Sequence, residues 1–586
     1  MAFLRLAFLF ALLSLAACAG STARLPPPAP AAGTLTLSIV GTNDLHGGIL
    51  PRGDRGGLAL LGGYVTNLRA ARARDGGAAL LIDAGDMFQG TLESNLNEGA
   101  IVVAAYNALG YAVTTIGNHD FDFGPLGAPA TPQQQSDDPR GALKARAAEA
   151  GFPFLAANLI DETTNRPVAW PNVKPTTIVT AAGVRVGIVG VMTARALSQT
   201  IAANTIGLHV APLVDTIAAA ARELRADGAA IVIVTAHAGG RCTSFANPTD
   251  LSSCEPVEEI MQVAQALPRG LVDVIVGGHA HSGMAHMVSG IAIIESFQGG
   301  RTFGRVDLVV DRASGRVVER RLFPPRDLCA RVDPGTTRCD PEGSSASRVG
   351  AEYEGAPVRP DRTIENTIAP AVQAALAQKR MPLGVMLSTP VRRAAAAATG
   401  DSPLGNLFVD SYRSGVAGAD VSINNTSGGL RADLPAGPLT YGSVFEVMPF
   451  DNRLVAFHLT GAELRQVLSN QLLRSTALVG ISGVRVRATC DRDTLNVTML
   501  RPNGSQVADS ERLLVTTSDF LATGGDGIFV PVTPPDGLSV EQDVGLVRDI
   551  VVEALRKRGG TLNERQLVDG GSPRWMLPSR PPVACK

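Results

Sequence analysis

Long apolar runs are almost missing from this chain of 586 residues. The one candidate, Leu6 to Ala17, is twelve residues long, too short to span a bilayer as a stable helix. A surplus of either charge is missing too: 52 Lys and Arg against 54 Asp and Glu leave a net charge of −2. That balance argues against broad binding of nucleic-acid polymers, which needs a basic face. No CxxC spacing occurs among the cysteines, so they are assigned no metal. Internal repeats and coiled-coil heptads are absent as well. What remains is a globular composition, 45% hydrophobic and 18% charged, in a chain long enough for two or more domains with cores of their own. The 63 Gly and 38 Pro fit many strand-to-loop corners.

The apolar start reads as a targeting segment. Arg5 precedes the apolar run, and Leu15-Ala16-Ala17-Cys18 resembles a bacterial lipobox. The expectation is a signal peptide over 1–17, lipid on Cys18, and an Ala/Pro-rich tether over 18–33. The protein would then be exported to the periplasm or cell envelope, touching the membrane only through that anchor. Plain secretion is the alternative. Removing Cys18 leaves six cysteines, an even number in an exported chain, and six permit fifteen pairings. The closely spaced Cys242–Cys254 and Cys329–Cys339 are the natural choices, leaving Cys490 with Cys585.

From residue 34 to 345, strand-like runs alternate with helical patterns such as Leu61 to Arg74 and Leu213 to Arg225, which reads as an α/β domain. A polar, Pro-rich loop at 125–141 reads as a surface excursion whose position also allows it to line a site entrance. Residues 346–384 read as a linker with a helix, its stripe being Ile364, Ile368, Val372, Ala375 and Leu376, with Pro370 inside. A second domain follows over 385–558. In it Ser402-Pro403 marks a helix start and Thr460-Gly-Ala-Glu463 a capping box. Residues 559–586 read as a tail pinned by Cys585.

Five apolar runs in the first domain end in the same chemistry. Leu35 to Val40 leads to Asn43-Asp44-Leu45-His46, and Ala79 to Ile82 leads to Asp83-Ala-Gly-Asp86. Tyr111 to Ile116 leads to Gly117-Asn118-His119-Asp120-Phe121-Asp122. Ile231 to Val234 leads to Thr235-Ala236-His237, and Leu271 to Val276 to Gly277-Gly-His279-Ala-His281. These motifs hold five of the eight histidines. Strand ends at one sheet edge face the crevice where such folds bind ligands. Asp44, His46, Asp86, Asn118, His237, His279 and His281 then make seven oxygen and imidazole donors, more than one ion needs when water must also bind. Two ions bridged by Asp86 would use them all, and a metal-activated water would supply the nucleophile. His119, held by Asp122, is left to serve the substrate. His209, His286 and His458 have no such setting and read as ordinary, satisfied rings.

Asp44-Leu-His46, Gly85-Asp86, Gly117 to Asp122, Ala236-His237 and Gly278-His279-Ala-His281 resemble the calcineurin-like metallophosphoesterase signature. With a further domain behind, the chain is similar to the bacterial 5′-nucleotidase/UDP-sugar hydrolase family over residues 34–545. The resemblance implies an α/β protein: a four-layer α/β/β/α metallophosphoesterase domain, then a smaller α/β substrate-binding domain. It also implies two divalent ions, such as zinc, manganese or cobalt, on the seven ligands, and His119–Asp122 as the catalytic dyad. His281 stands where several of these nucleotidases carry Gln. Asp401 to Leu407, Gly428-Gly-Leu-Arg431, Met448 to Asn452 and Asp519 to Gly527 resemble motifs of the second domain. By that likeness Phe450 and Phe520 would stack on a nucleobase, Asp526 would bond ribose hydroxyls and Arg431 would pair with phosphate. The family's arginine before Gly-Asn-Leu is absent, with Gly400-Asp401 near its place, and Arg392 or Arg393 would stand in. Asn425-Thr-Ser427 is one residue longer than the usual approach to that arginine.

The expectation is an exported phosphohydrolase acting on 5′-nucleotides or nucleotide-derived small molecules. A nucleotide-sugar pyrophosphatase or a 2′,3′-cyclic nucleotide phosphodiesterase would use the same centre. Phe450 and Phe520 disfavour a sulfur-oxidation thiohydrolase. A lipid-anchored binding protein with a decayed site is the non-enzymatic alternative, against which the complete ligand set speaks.

Overall fold

The computed structural model describes residues 33–127, 130–339, 347–393, 402–426, 428–534, 537–568 and 573–585. The signal segment, Cys18 and all of the tether except Gly33 lie outside them, as do Gly400, Asp401 and Ser427. Among the described residues no helix is long and apolar enough to cross a membrane.

Two sheets stack face to face in the first domain. One runs in the order Val317–Asp327, Thr302–Asp311, Thr34–Thr42, Ala78–Asp83, Val113–Thr115, Phe154–Leu155 and Val173–Lys174. The other runs Gly283–Val288, Ile291–Ser296, Val274–Gly277, Ile231–His237, Val184–Met192 and Thr176–Ala181. Alternation along each strand decides what lies between them. Leu35, Leu37 and Ile39 meet Val186, Ile188, Ile231, Ile233 and Val274 in one shared core. Each such side chain, fully buried, contributes about 1.5–3 kcal/mol. Helices cover both outer faces. Leu58–Asp75 and Ala100–Leu109 pack on the first sheet through Tyr64, Leu68, Val102 and Tyr106. Leu213–Ala226 and Glu259–Ala266 pack on the second through Ile217, Leu224 and Ile260. The result is the four-layer α/β/β/α arrangement.

The parallel strands end level. Thr42 lies beside Asp83 and Asp83 beside Thr114 in the first sheet, while His237 lies beside Met192 and Ala236 beside Gly277 in the second. All the motif loops therefore leave from one edge of the sandwich.

The second domain is built on a five-stranded sheet ordered Gly480–Ser482, Val421–Asn424, Arg512–Ser518, Arg453–Thr460 and Gln542–Leu546. Helices Pro403–Gly415 and Val547–Arg558 cover one face, and Gly461–Arg474 the other. Both expected helix starts are present. Ser402 Oγ accepts from Gly405 N–H at 2.9 Å, and Thr460 and Glu463 cap each other.

The linker helix, Arg362–Lys379, is not a free connector. Asp361 caps it, Ile364 and Ile368 join the first domain's core, and Ala375 joins the second's. Its buried stripe runs Ile364, Ile368, Ala371, Ala375, with Val372 and Leu376 only half-buried and Pro370 on the exposed side. The described residues of 559–586 are packed rather than trailing. Gly560–Leu562 pairs in parallel with Pro382–Leu387, Trp575–Met576 pairs with Arg485–Asp491, and Trp575 and Val583 are buried. Disulfides join Cys242–Cys254, Cys329–Cys339 and Cys490–Cys585, the pairing expected from spacing.

Candidate active site

Three of the five motif loops turn sharply as they leave their strands, and the turn falls on the chemistry-bearing residue. Asp44, His46, Asp86, His279 and His281 all hold left-handed backbone, with φ between 49 and 75°. Side chains other than glycine rarely adopt it, and each such position stores about 1–3 kcal/mol. Glycines make room between the loops. A Cβ on Gly117 would lie 2.1 Å from Asp86 Oδ1, and one on Gly85 would lie 2.8 Å from Gly117 N.

The seven side chains converge as two groups that meet at Asp86. In the first, His46 Nε2 lies 3.0 Å from His281 Nε2, His281 Nε2 is 3.4 Å from Asp44 Oδ1, and His46 Nε2 is 3.9 Å from Asp86 Oδ2. In the second, His237 Nε2 lies 2.9 Å from Asn118 Oδ1 and 3.4 Å from Asp86 Oδ2, and His279 Nδ1 is 3.1 Å from Asn118 Oδ1. Asp44, Asp86, Asn118 and His237 are buried.

Neighbouring groups aim these donors. His46 Nδ1–H donates to the Gln89 carbonyl at 3.0 Å, and His237 Nδ1–H to the Ala84 carbonyl at 2.8 Å, so both rings turn Nε2 inward. Asn118 donates its amide to the Gln199 carbonyl, which turns its oxygen inward too. Asp44 accepts from the Asn43 amide and from His279 N–H. Asp120, between the motif histidine and phenylalanine, accepts from the N–H groups of Asp86, Met87 and Gly117 and so fixes two of the loops together.

Burial pushes His46 down to about 3 and, with the charge of His237, His279 down to about 4. The Nε2 of neutral His46, facing the Asp86 carboxylate, has no proton to offer it, so a cation fits between them. At His237 burial also works downward, but the Asp86 carboxylate overrides it and raises the pKa to about 10. With Nδ1–H committed to Ala84, that proton sits on Nε2, where a cation would compete with it. Imidazole and carboxylate donors of this kind suit a divalent transition metal.

His119 stands outside both groups. Its Nδ1 is 2.6 Å from Asp122 Oδ2, and the other Asp122 oxygen accepts from Thr200 Oγ1 at 2.8 Å. Burial opposes protonation of His119, yet the charges of Asp122 and Asp86 raise its pKa to about 9. The ring faces a cavity of about 280 Å³ between the two domains. Arg431 is exposed there, its guanidinium 5.0 Å from the centre of the Phe450 ring, and that ring is 6.2 Å from His119. Phe450 and Phe520 are half-buried, each packed on a different core of the second domain, and both line the cavity. Asp526, at φ 53°, accepts from the Asn425 amide at 2.6 Å.

Sequence reasoning missed the groups that hold this wall. Arg548 donates to the Met448 and Phe450 carbonyls and pairs with Asp451, while Gln89 and Asn95 of the first domain both donate to the Pro449 carbonyl. A motif of acidic and histidine residues gives no signal for them. The loop 125–141 contributes no lining residue among those described; Gln199, Thr200 and Ile201 take that place. Of the two candidate arginines, Arg393 reaches the Leu430 carbonyl beside Arg431, whereas Arg392 bonds through its backbone to Glu564. His209 and His458 lie beside surface carboxylates, and His286 is buried with Nε2 unpartnered.

Residues 37–283 match the family model described as calcineurin-like phosphoesterase, and residues 383–533 the one described as 5′-nucleotidase, C-terminal domain. Cell wall protein Lmo0130 of Listeria monocytogenes is 26% identical over 543 residues, covering 85% of this chain. This chain spans 64% of that protein's length. Protein UshA of Yersinia enterocolitica is 25% identical over 524 residues, covering 84% of this chain and 86% of that protein. The 5′-nucleotidase precursor from Thermus thermophilus has the same fold, with a TM-score of 0.64 at 23% identity over 90% of this chain and 97% of that one.

Proposed function

We propose, for a chain that belongs to the calcineurin-like phosphoesterases carrying a 5′-nucleotidase C-terminal domain, that it removes phosphate from 5′-nucleotides. One observation supports this above the others: Asp86 and His281 of one donor group, Asn118 and His279 of the other, His119 and both predicted aromatics line one interdomain cavity. Asp44, His46, Asp86 and His281 would hold one divalent cation and Asp86, Asn118, His237 and His279 a second, and such cations would supply water activation and neutralisation of phosphoryl charge. His119 commits Nδ1–H to Asp122 and, with a pKa near 9, keeps a second proton on Nε2 at neutral pH. As the water oxygen bonds to phosphorus, the ester bond to the 5′ oxygen breaks, and the Nε2 proton passes to that oxygen. Arg431 would pair with phosphoryl oxygens, Phe450 and Phe520 would hold the base, and Asp526 would accept from ribose hydroxyls.

Full pairing of six cysteines supports export, since disulfides persist in oxidising compartments. Lipid on Cys18 with a periplasmic or cell-envelope location belongs to the same proposal, and mass analysis of the mature N-terminus tests it.

The activity is tested with purified protein, manganese and three substrates: AMP, UDP-glucose and 2′,3′-cyclic AMP. The expected result is highest kcat/KM on AMP. Preference for either other substrate would replace the reading by the corresponding pyrophosphatase or cyclic phosphodiesterase, and no turnover at all would favour a binding protein.

A further inference from the structure

A second and larger cavity, of about 640 Å³, also borders the metal-ligand cluster, through His46 and His281. His281, Arg431 and Phe450 line both cavities, so a group bound at the first donor cluster has free space in two directions. The nucleoside reading uses only one of them.

The second chamber is cationic. Arg52, Arg55, Arg301, Lys379, Arg393 and Arg431 line it, against two carboxylates, Glu93 and Glu446. Some of that charge is already matched: Lys379 bonds both oxygens of Glu93, and Arg55 pairs with Asp327 at 2.6 Å. Among the described residues, the guanidinium groups of Arg52 and Arg301 have no hydrogen bond or ion pair. They are nevertheless well placed. Arg52 and Arg55 exchange backbone hydrogen bonds across a tight turn, Gly57 N–H donates to the Gly300 carbonyl, and Leu328 N–H donates to the Arg301 carbonyl. Arg55 pairs with Cys329 through an antiparallel β-bridge, and Cys329 is tied to Cys339 by a disulfide. Burial and the nearby charges of Arg52 and Arg55 both work against the charge on half-buried Arg301. Like charges held together on a rigid frame cost free energy that an incoming anion would offset. Guanidinium forks suit phosphate and carboxylate in particular.

We infer that this chamber is a second anion subsite, which takes a phosphate or carboxylate carried on the far side of the phosphoryl group from the nucleoside. The inference deepens the proposed function and rests on the phosphoryl centre assumed there. The ligands it selects are phosphate-linked compounds whose non-nucleoside arm carries an anion of its own, with Arg52 and Arg301 as the recognising residues.

Equilibrium binding separates this from the nucleotidase reading. Glucose 1-phosphate, glucuronic acid 1-phosphate and glucose 1,6-bisphosphate share one phosphoryl handle and differ in the second anion: none, a carboxylate or a phosphate. Calorimetry on the full chain with manganese should show one or both of the ligands with a second anion binding about tenfold or more tighter than glucose 1-phosphate, the effect of a charge-assisted contact. The preferred one identifies the anion. The preference should shrink with added salt and collapse towards unity in Arg52→Gln/Arg301→Gln. Circular dichroism on that variant verifies its fold, and Arg52→Lys/Arg301→Lys should restore part of the preference. Equal binding of all three ligands to the parent protein, or a preference that survives in the Gln variant, overturns the subsite. AMP turnover is measured alongside: its absence with the preference intact would sink the nucleotidase reading and leave the chamber standing.

Discussion

At the scale of single residues, the site is held by strain and by space. Gly117 is the clearest case, because its missing Cβ is where Asp86 Oδ1 sits. Gly117→Ala should displace that carboxylate and lose the ions of both donor groups together, read by metal analysis of purified protein. Loss of a single ion would show that Asp86 is not shared. His119 offers a different test, since its bond to the donor groups runs from its backbone N–H to Asp86 Oδ1 at 2.8 Å, which a side-chain substitution keeps. His119→Asn should keep its metal content and lose about 10²–10⁴ in kcat. The raised pKa also sets a pH limb. The imidazolium is the donating form, so activity stays level below its pKa and falls above it. The parent's alkaline limb should lie at or below about 9, because a cation beside Asp86 cancels part of the charge that raises it. The limb should vanish in His119→Asn; a limb that stays would assign it to another group.

At the scale of elements, the strands and their terminal motifs were legible because burial on both faces writes unbroken runs such as Ile231-Val-Ile-Val234, and because the loops after them carry the scarce histidines. The caps at Ser402 and Thr460 were legible for the same local reason. What sequence hid were bonds made through the backbone, such as the Gln89 and Ala84 carbonyls on His46 and His237, and side chains far away in the chain, such as Arg548 behind Phe450. The segment 559–586 was misread as a tail because it anchors through isolated apolar residues, Trp575 and Val583, with no periodicity to announce a strand. Its bridge to Cys490 closes a separation of 95 residues. Replacing Cys490 and Cys585 together by Ser should lower the unfolding free energy of the second domain by about 2–5 kcal/mol, measured in urea, and leave metal content unchanged. A cost below about 0.5 kcal/mol would mean that the strand pairing holds this segment without the bridge.

For the whole molecule, the substrate wall belongs to one domain and is braced by the other. Gln89 and Asn95 reach across to the Pro449 carbonyl, next to the ring proposed to carry the base. Replacing both by Ala should raise the KM for AMP by the equivalent of about 1–2 kcal/mol, with metal content retained, since about 1 kcal/mol is a usual net contribution of one such bond. A fall in kcat with loss of metal would instead place these residues in support of the centre itself.

The helix Arg362–Lys379, rooted in both hydrophobic cores, decides where the protein can be cut. A gene truncated at residue 345, at the edge of the sequence-defined catalytic half, would strip Ile364 and Ile368 from their seat and leave bare apolar surface. That product should come out of cells insoluble, whereas one carried through Lys379 keeps the seat filled and ends on a polar turn.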